Sequence, residues 1–385
     1  MLQTLAIKNY RSLRDLKIPL AGLNVVTGAN GSGKSSLYRA LRLLAEGAGG
    51  GLIRALAREG GLPSVLWAGP ERISRAMRRG EVPIQGTLRK NPVRLGLGFS
   101  SEALSYAAEW GFPKAGPQMS FPLDPEYKFE TLWAGPRFHP RAILLSRRGP
   151  LVRWEGTERS VEESPSVDGF ESAVHRFSDP YHTPESIALR DLLASWRFYD
   201  HLRCDEGAPC RAPQVGTYTP FLSHDGADLA AAWSTIFRVG DATGLARSVE
   251  DAFPGSSIEV LESEGRFDLA MRQPGMLRPL SSRELSEGTM RFLMLAVALH
   301  APRPPALMVL NEPEANLHED LLPSLASLIR AATEVMQLVV ITHSARLAEG
   351  LAEGGDAQMV RLRKDCGETF AEVDGETLAA WRWPE

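Results

Sequence analysis

A glycine-rich segment near the N-terminus has the residue types that hold phosphate groups. Gly28 to Ser36 has the sequence GANGSGKSS, which fits the pattern G-x-x-x-x-G-K-[ST]. Glycines let backbone N–H groups converge on an anion, and the lysine and the following hydroxyl can reach phosphates and Mg²⁺. We therefore predict a nucleoside triphosphate site with Lys34 at the β- and γ-phosphates and Ser35 on the metal. The predicted binding residues are Gly28, Asn30, Gly31, Ser32, Gly33, Lys34, Ser35 and Ser36.

Two polar side chains follow a buried strand in the C-terminal third. The segment 306–310 is apolar without alternation, and Asn311 and Glu312 come directly after it. An acid at the carboxyl end of a parallel strand lies where such sheets bind nucleotides, so we predict Glu312 as the general base for water. The alternative is an acid that only begins a helix. Asn311, predicted on the metal, supplies an oxygen without charge, which predicts weaker metal binding or slow hydrolysis unless Glu314 compensates.

Two shorter motifs accompany this strand. Leu285-Ser286-Glu287-Gly288-Thr289 opens a predicted helix about 20 residues before it, and Thr342-His343-Ser344 follows the next buried strand. Alone, a Ser-x-Gly before a helix is a capping signal, and a lone histidine is usually structural. The position of His343 at a strand end predicts that it hydrogen bonds the γ-phosphate and water.

Apolar periodicity predicts the elements that position these residues. Three N-terminal strands are predicted at 2–7, 13–20 and 23–27, the last running into the glycine-rich loop and a helix. Near the C-terminus, helices are predicted at 286–300 and 317–335 and buried parallel strands at 306–310 and 338–342. The two chain ends are therefore expected to join in one sheet.

The middle of the chain has more glycine and proline and weaker patterns. Short strands are predicted at 82–88 and 93–99, and helices at 184–197 and 226–237, the last after the capping side chains of 223–225. We predict an α/β fold in which 1–45 and 280–385 form one head and 46–279 is an inserted α+β region.

The motifs together resemble those of ABC-type ATPases of the RecF/SMC-like branch, in particular the bacterial AAA family ATPases of the AAA21 type. GANGSGKSS, LSEGT, VLNEPEANLH and ITHS are similar to Walker A, the signature motif, Walker B with the D-loop, and the switch-histidine loop. Residues 9–13 are similar to the N-terminal strand pair of the family, which implies that Arg11 approaches the nucleotide. Residues 196–199 and 222–226 also resemble a subgroup of predicted ATPases.

The resemblance implies a P-loop NTPase fold with ATP and Mg²⁺ as cofactors. It also implies that Ser286 and Gly288 present a helix N-terminus to the γ-phosphate held by a second subunit, giving a homodimer bridged by ATP. For the Q-loop glutamine, Gln85 and Gln118 are both candidates. Hydrolysis would loosen the dimer and switch the geometry of the inserted region.

The implied biological work is on DNA, in repair or in defence against phage, and a protein partner is a further candidate. One alternative is a nucleotide-gated scaffold with little hydrolysis, which Asn311 motivates. Another is the ATPase subunit of a membrane transporter, against which the long insertion speaks. A nuclease domain of the Toprim kind, found in some relatives, is not expected, because the chain ends about 40 residues after His343.

Composition sets further expectations. The 385 residues are 43% hydrophobic and 23% charged with a net charge of −4, which is typical of a globular protein rather than a disordered one. Apolar runs are far shorter than the roughly 20 residues of a membrane span. Without a signal-like N-terminus and with three cysteines, a cytoplasmic location without membrane contact is expected.

Two arginine-rich stretches are candidates for nucleic-acid contact. Residues 71–94 carry seven cations against two acids, and residues 137–153 carry five arginines and no acid. The alternative is a solvated face balanced by the acidic stretch 155–171. Cys204, Cys210 and His201 lack a second ligand pair with zinc-like spacing, so no metal site is expected there.

Overall fold

The computed structural model describes residues 1–85, 87, 89–113, 121–155, 161–164, 167–200, 202–374 and 381–384. The chain forms two compact units. The first comprises Met1–Ala21, Val26–Trp196 and Gln358–Glu385, and the second comprises Gly22–Val25 and Arg197–Ala357. Within the described residues, no helix is long and apolar enough to cross a membrane.

The strands are, in chain order, β1 (Leu2–Tyr10), β2 (Leu13–Pro19), β3 (Leu23–Gly28), β4 (Leu95–Ser101), β5 (Leu104–Gly111), β6 (Glu126–Ala134), β7 (Ile143–Arg148), β8 (Leu151–Glu155), β9 (Val161–Ser164), β10 (Arg197–Tyr199), β11 (Gln214–Val215), β12 (Ser257–Ser263), β13 (Arg266–Arg272), β14 (Leu280–Ser281), β15 (Leu307–Asn311), β16 (Gln337–Ile341), β17 (Ala357–Asp365) and β18 (Glu368–Val373).

The helices are α1 (Lys34–Ala48), α2 (Leu52–Arg58), α3 (Leu62–Val65), α4 (Arg75–Arg78), α5 (Ala173–Arg176), α6 (Pro184–Ser195), α7 (Leu229–Val239), α8 (Ala242–Ala252), α9 (Glu287–Leu299), α10 (Leu322–Ala332) and α11 (Ala345–Ala352). Short 3₁₀ helices lie at Pro140–Ala142, Pro209–Arg211 and Glu319–Leu321.

An eight-stranded antiparallel sheet dominates the first unit, in the order β2-β1-β4-β5-β6-β7-β8-β9. Large aromatic side chains fill its core: Trp110 and Tyr127 pack edge to face at 5.4 Å, and both are fully buried. Helix α1 contacts β1 and β4, and the hydroxyl of Tyr127 donates to the carbonyl of Gly47 near the end of α1. This sheet therefore supports the helix that begins at the glycine-rich loop.

The second unit contains the parallel strands β10, β15 and β16. Apart from Arg197 and Asn311, their residues are buried, which explains apolar runs without alternation. Gly22–Val25 also belongs to this unit: the N–H of Leu338 donates to the carbonyl of Gly22, and the buried Asn24 amide donates to the carbonyl of Leu338. The expected sharing of a sheet by both chain ends is thus found at β3, whereas β1 and β2 continue into the antiparallel sheet through β4.

Three predicted elements are wrong in position or type. The described residues of 82–88 form turns and bends, since Pro83 cannot donate to a strand ladder. The helix predicted over 317–335 begins only at Leu322, because Pro323 is tolerated in a first turn but not in a helix interior. The helix predicted from Gly226 begins at Leu229, since Gly226 has a φ of 71°.

Candidate functional site

The glycine-rich loop follows β3 in the first unit and is shaped by glycines. Gly28 and Gly33 have φ angles of 150° and 114°, which side-chain-bearing residues rarely adopt. A Cβ on Gly28 would lie 2.4 Å from the carbonyl oxygen of Leu362, and one on Gly33 would lie 2.6 Å from Oγ1 of Thr369. The loop is thus packed against β17 and β18 so closely that only glycine fits.

Lys34 begins α1 directly after this loop. Its side chain is buried, and Nζ donates to the carbonyl oxygens of Gly28 and Ala29 at 2.5 and 3.0 Å. No described side chain caps α1, and its first turn contains no acidic residue. The positive end of the helix dipole and the lysine therefore face the same loop, an arrangement that suits an anion.

The other predicted loop residues differ in exposure. Asn30, Gly31 and Ser35 are exposed, and Ser36 is half-buried. Ser32 is buried, and its hydroxyl oxygen has no hydrogen-bond partner among the described residues. An unsatisfied buried hydroxyl costs free energy, so its presence in this loop fits a ligand that would complete its hydrogen bonding.

Arg11 is engaged with an acid of its own unit. Its guanidinium lies 2.7 Å from the carboxylate of Glu59, which also accepts from the hydroxyl of Tyr10 at 2.6 Å. Burial opposes the charge, but the bonds to Glu59 and Tyr10 outweigh it and raise the pKa of Arg11. The contact of Arg11 with a nucleotide stays a prediction, and it would require this ion pair to open.

Glu312 and His343 lie together in the second unit. Oε1 of Glu312 is 3.1 Å from Nε2 of His343, and the two side chains are 46% and 40% exposed. Glu312 follows β15 with a φ of 50°, a left-handed conformation of the kind that costs about 1–3 kcal/mol and is concentrated at functional sites. The backbone of Glu312 is held on both sides, because its N–H donates to Ile341 and its carbonyl accepts from Arg291.

Arg291 is a buried cation on α9 that has carbonyl partners. Besides Glu312, it donates to the carbonyl of Pro313 at 3.2 Å and to that of Leu202 at 3.4 Å. Burial lowers the pKa of its guanidinium. The helix that begins with the signature motif is thereby tied to the backbone of the predicted general base.

Glu314 organises the segment that carries His343. Its Oε1 accepts from the hydroxyl of Thr342 at 2.6 Å and from the backbone N–H groups of His343 and Ser344 at 2.9 and 3.2 Å. Its Oε2 is buried and has no hydrogen-bond partner among the described residues. In this structure, Glu314 therefore acts on the switch-histidine loop rather than as a substitute beside Asn311.

Replacing Glu314 with alanine is expected to destabilise the protein by about 2 kcal/mol, since three donors would lose one shared charged acceptor. Urea unfolding of the Glu314→Ala variant measures this loss. The Glu314→Gln variant keeps an acceptor oxygen of the same reach and is expected to lose less than half as much. Equal stability of the alanine variant and the unsubstituted chain would contradict the anchoring role of Glu314.

The signature motif lies at the start of α9 in the second unit. Ser286 is exposed, and its Oγ accepts from the N–H of Thr289 at 3.1 Å, a helix cap. A Cβ on Gly288 would lie 2.8 Å from the carbonyl oxygen of Asn316, whose side chain donates to Glu287 at 3.3 Å. Gly288 therefore allows the segment 316–318, which resembles the D-loop, to approach the residues 285–289 of the same chain.

Asp200 is a residue of the site that sequence reasoning missed. It follows β10 directly, and its Oδ1 accepts from Nδ2 of Asn311 at 2.7 Å. The preceding strand, Arg197–Tyr199, is only three residues long and gives too little periodicity to be recognised. A signal was available in residues 196–199, which resemble a subgroup of predicted ATPases and directly precede this aspartate.

The remaining candidates have no described role at a nucleotide. Gln85 is exposed and lies outside the helices and strands, while Gln118 and His201 lie outside the described residues. The thiols of Cys204 and Cys210 are buried and donate to backbone carbonyls. Among the described residues, no group of three or more His, Cys, Asp or Glu could hold a metal ion.

The arginine-rich stretches are partly neutralised within the first unit. Arg78 bridges Asp365 and Glu368 at 2.7 and 2.9 Å. Arg147 is fully buried and donates to backbone carbonyls, among them that of Asp168. Arg147 is therefore unavailable to DNA. Several other arginines of the two stretches are exposed: Arg72, Arg75, Arg137, Arg141, Arg148 and Arg153.

Comparison with known proteins shows the family of this chain. Residues 23–349 match the family AAA_21, described as "AAA domain, putative AbiEii toxin, Type IV TA system". The chain belongs to this family. The motifs predicted membership of the AAA21 type, and the family match confirms it. A curated relative, the OLD nuclease of Thermus scotoductus, is 43% identical over 44 residues, which are 11% of this chain and 8% of that protein. The chain therefore spans only a small part of that relative.

Solved structures confirm the predicted fold class. This AAA_21 member is similar to the SMC head bound to the C-winged helix domain of ScpA, with a TM-score of 0.53, 14% identity and coverage of 97% of this chain and 98% of that chain. It is also similar to the SMC head domain from Thermotoga maritima, with a TM-score of 0.50, 15% identity and coverage of 97% and 99%. At such identities the likeness shows the fold, an α/β P-loop NTPase fold.

Proposed function

We propose that this chain is an ATP-hydrolysing switch in which Glu312 is the general base. The observation that carries the proposal is the 3.1 Å contact between Glu312 and His343 in a member of a P-loop ATPase family. A carboxylate after one parallel strand and an imidazole after the next are suited to hold a water molecule and to stabilise the γ-phosphate. The individual roles of these residues remain our proposal.

In the proposed reaction, water attacks the γ-phosphorus and the bond to the β–γ bridging oxygen breaks, which yields ADP and phosphate. Glu312 accepts the proton of the attacking water, and His343 hydrogen bonds the γ-phosphate. Lys34 exchanges its carbonyl partners, Gly28 and Ala29, for phosphate oxygens and stabilises the charge that builds on them.

The fold family implies Mg²⁺, and the donors present fit this ion. Ser35 has an exposed hydroxyl in the first turn of α1, and Asn311 has an amide oxygen that its bond to Asp200 leaves unused, because that bond is made by the amide nitrogen. Oxygen donors of this kind are what Mg²⁺ prefers, and few protein ligands are needed when phosphates supply the others. When bound, Mg²⁺ would neutralise charge on the phosphates.

The same proposal includes dimerisation on ATP. Ser286 is exposed at the N-terminus of α9, and the chain contains one copy of each motif. In a two-fold dimer, each Ser286 would face the γ-phosphate held by the other subunit, so that two ATP molecules bridge the subunits. Hydrolysis would then release the bridge and change the geometry of the inserted region, residues 46–279.

A nucleotide-gated scaffold is the second candidate function, because Asn311 supplies no charge of its own. Steady-state phosphate release at saturating Mg²⁺ and ATP separates the two functions. Release well above background, lost on substitution of Glu312, supports the enzyme. Binding of ATP without release above background supports the scaffold.

We also propose DNA as the substrate of the switch, in repair or phage defence, through the exposed arginines of the first unit. Hydrolysis is expected to rise when double- or single-stranded DNA is added at low salt, and DNA affinity is expected to fall at least about tenfold between 50 and 200 mM salt. The variant Arg137→Ala/Arg141→Ala should flatten this salt dependence. Hydrolysis and binding that do not respond to DNA at low salt would remove DNA from the proposal.

A further inference from the structure

A carboxylate stands beside the amide at the end of β15. Tyr199 of β10 pairs with Leu310 of β15 in parallel register, so the next residues, Asp200 and Asn311, follow at the same edge of the second unit. Nδ2 of Asn311 donates to Oδ1 of Asp200 at 2.7 Å, and both residues are half-buried. The two side chains therefore form one polar pair at two adjacent strand ends.

The chemistry of the two groups sets the orientation of this pair. An ionised carboxylate has acceptors only, so the amide nitrogen of Asn311 must be the atom that faces Asp200. The amide oxygen then lies on the other branch of the side chain. Together with the carboxylate it forms a set of hard oxygen donors, which bind Mg²⁺ directly or through its water molecules.

The pair also has the charge that a single aspartate at position 311 would supply. A neutral amide and one carboxylate together carry one negative charge, which sits on β10 instead of β15. An acid at both positions would instead place two like charges within hydrogen-bond distance, which is unfavourable. The hydrogen bond of Asn311 to Asp200 is therefore a favourable way to keep a single negative charge within this pair.

We propose that Asp200 is a positioning residue that compensates for Asn311: it orients the amide of Asn311 and supplies the negative charge that holds the hydrated Mg²⁺ of MgATP. The inference rests on the proposed function, because it concerns the metal that accompanies ATP. It removes the expectation, based on Asn311 alone, that the metal is held weakly.

The test measures the affinity for a non-hydrolysable ATP analogue in saturating Mg²⁺ and in EDTA. The affinity in Mg²⁺ divided by the affinity in EDTA reports the contribution of the metal and does not depend on turnover. The variants are Asp200→Asn, Asn311→Asp, and the exchange of both side chains, Asp200→Asn/Asn311→Asp. The control is Asp205→Asn. Asp205 is an exposed aspartate five residues after Asp200 and forms an ion pair with Arg203.

We expect Asp200→Asn to reduce this ratio about 10- to 100-fold, the range found when a supporting group of a metal site is removed. The affinity in EDTA should stay within about twofold. The exchanged variant should recover most of the ratio, because it restores one amide and one carboxylate, and Asp205→Asn should leave the ratio unchanged. If Asp200→Asn lowers the midpoint of thermal unfolding, the exchanged variant decides whether the metal or the stability of the fold is responsible for the lower ratio, since it retains both side-chain volumes.

An unchanged ratio in Asp200→Asn would overturn the inference. So would an equal loss of affinity in Mg²⁺ and in EDTA, which would assign Asp200 to the nucleotide or to folding. An exchanged variant with an affinity ratio as low as that of Asp200→Asn would also overturn the inference. Failure of the unsubstituted chain to bind the analogue in either condition would instead overturn the proposed function itself, and the inference with it.

Discussion

The Glu312→Gln variant is expected to hydrolyse ATP at least about 100-fold more slowly than the unsubstituted chain while it still binds ATP. Positioned general bases contribute factors of this order or larger. Glutamine keeps the length of the side chain and an acceptor for His343, but its amide cannot accept the proton of the attacking water. Phosphate release under saturating Mg²⁺ and ATP measures the rate, and binding of a fluorescent ATP analogue shows that the site is intact.

Glu319→Gln is the matched control for this substitution. Glu319 is an exposed glutamate of the same unit and pairs at 3.3 Å with Arg346, a surface pair of small energetic weight. Its variant should hydrolyse ATP at the normal rate. If Glu312→Gln also kept a normal rate, Glu312 would be no general base, and its contact with His343 would have a structural role only.

The Ser286→Asp variant is expected to lose ATP-dependent dimerisation, with the dimer weakened at least about 100-fold. Aspartate caps a helix as well as serine, so α9 should form normally. Its negative charge, however, would face the γ-phosphate of the partner subunit, and like charges opposed across an interface cost several kcal/mol. The repulsion would occur twice in a two-fold dimer. Analytical ultracentrifugation with ATP in the Glu312→Gln background, where hydrolysis does not end the complex, measures the effect.

Ser286→Asn separates the charge from the cap, because asparagine is an equally good capping residue without charge. We expect this variant to retain most of the dimer. Both variants should bind ATP normally at their own loop, because Lys34 and Gly28 are unaltered. A Ser286→Asp chain that dimerises as well as the unsubstituted one would refute the view that the signature motif acts on the nucleotide of a second subunit.

Much of the fold was predictable because its signals are local. The strand over Leu23–Gly28, the glycine-rich loop and α1 follow from β-branched residues, glycines and a helical apolar pattern that adjoin in the chain. The buried strands β15 and β16 follow from apolar runs without alternation, and they are parallel as predicted. Such patterns are formed by neighbouring residues, so no long-range information is needed to recognise them.

The errors occurred where a single residue or a distant partner prevails over the pattern. Pro323 delays the start of a helix whose apolar spacing extends further back. The three residues Arg197–Tyr199 form a strand only because β15 supplies its hydrogen bonds. The two chain ends share a sheet at β3, as expected, but β1 pairs with β4, from the region predicted as an insertion.

By itself, the sequence determined the chemical inventory of this protein: a phosphate-binding loop, a carboxylate and an imidazole at two strand ends, and a capped signature helix, all in the order of one ATPase class. Only the tertiary structure decided which of these groups touch. It set Glu312 against His343, used Glu314 to hold the switch-histidine loop, and brought Asp200 to Asn311, 111 positions further along the chain. The physical reason is that residue types and spacing encode local conformation, whereas hydrogen bonds between distant strand ends depend on how the strands align.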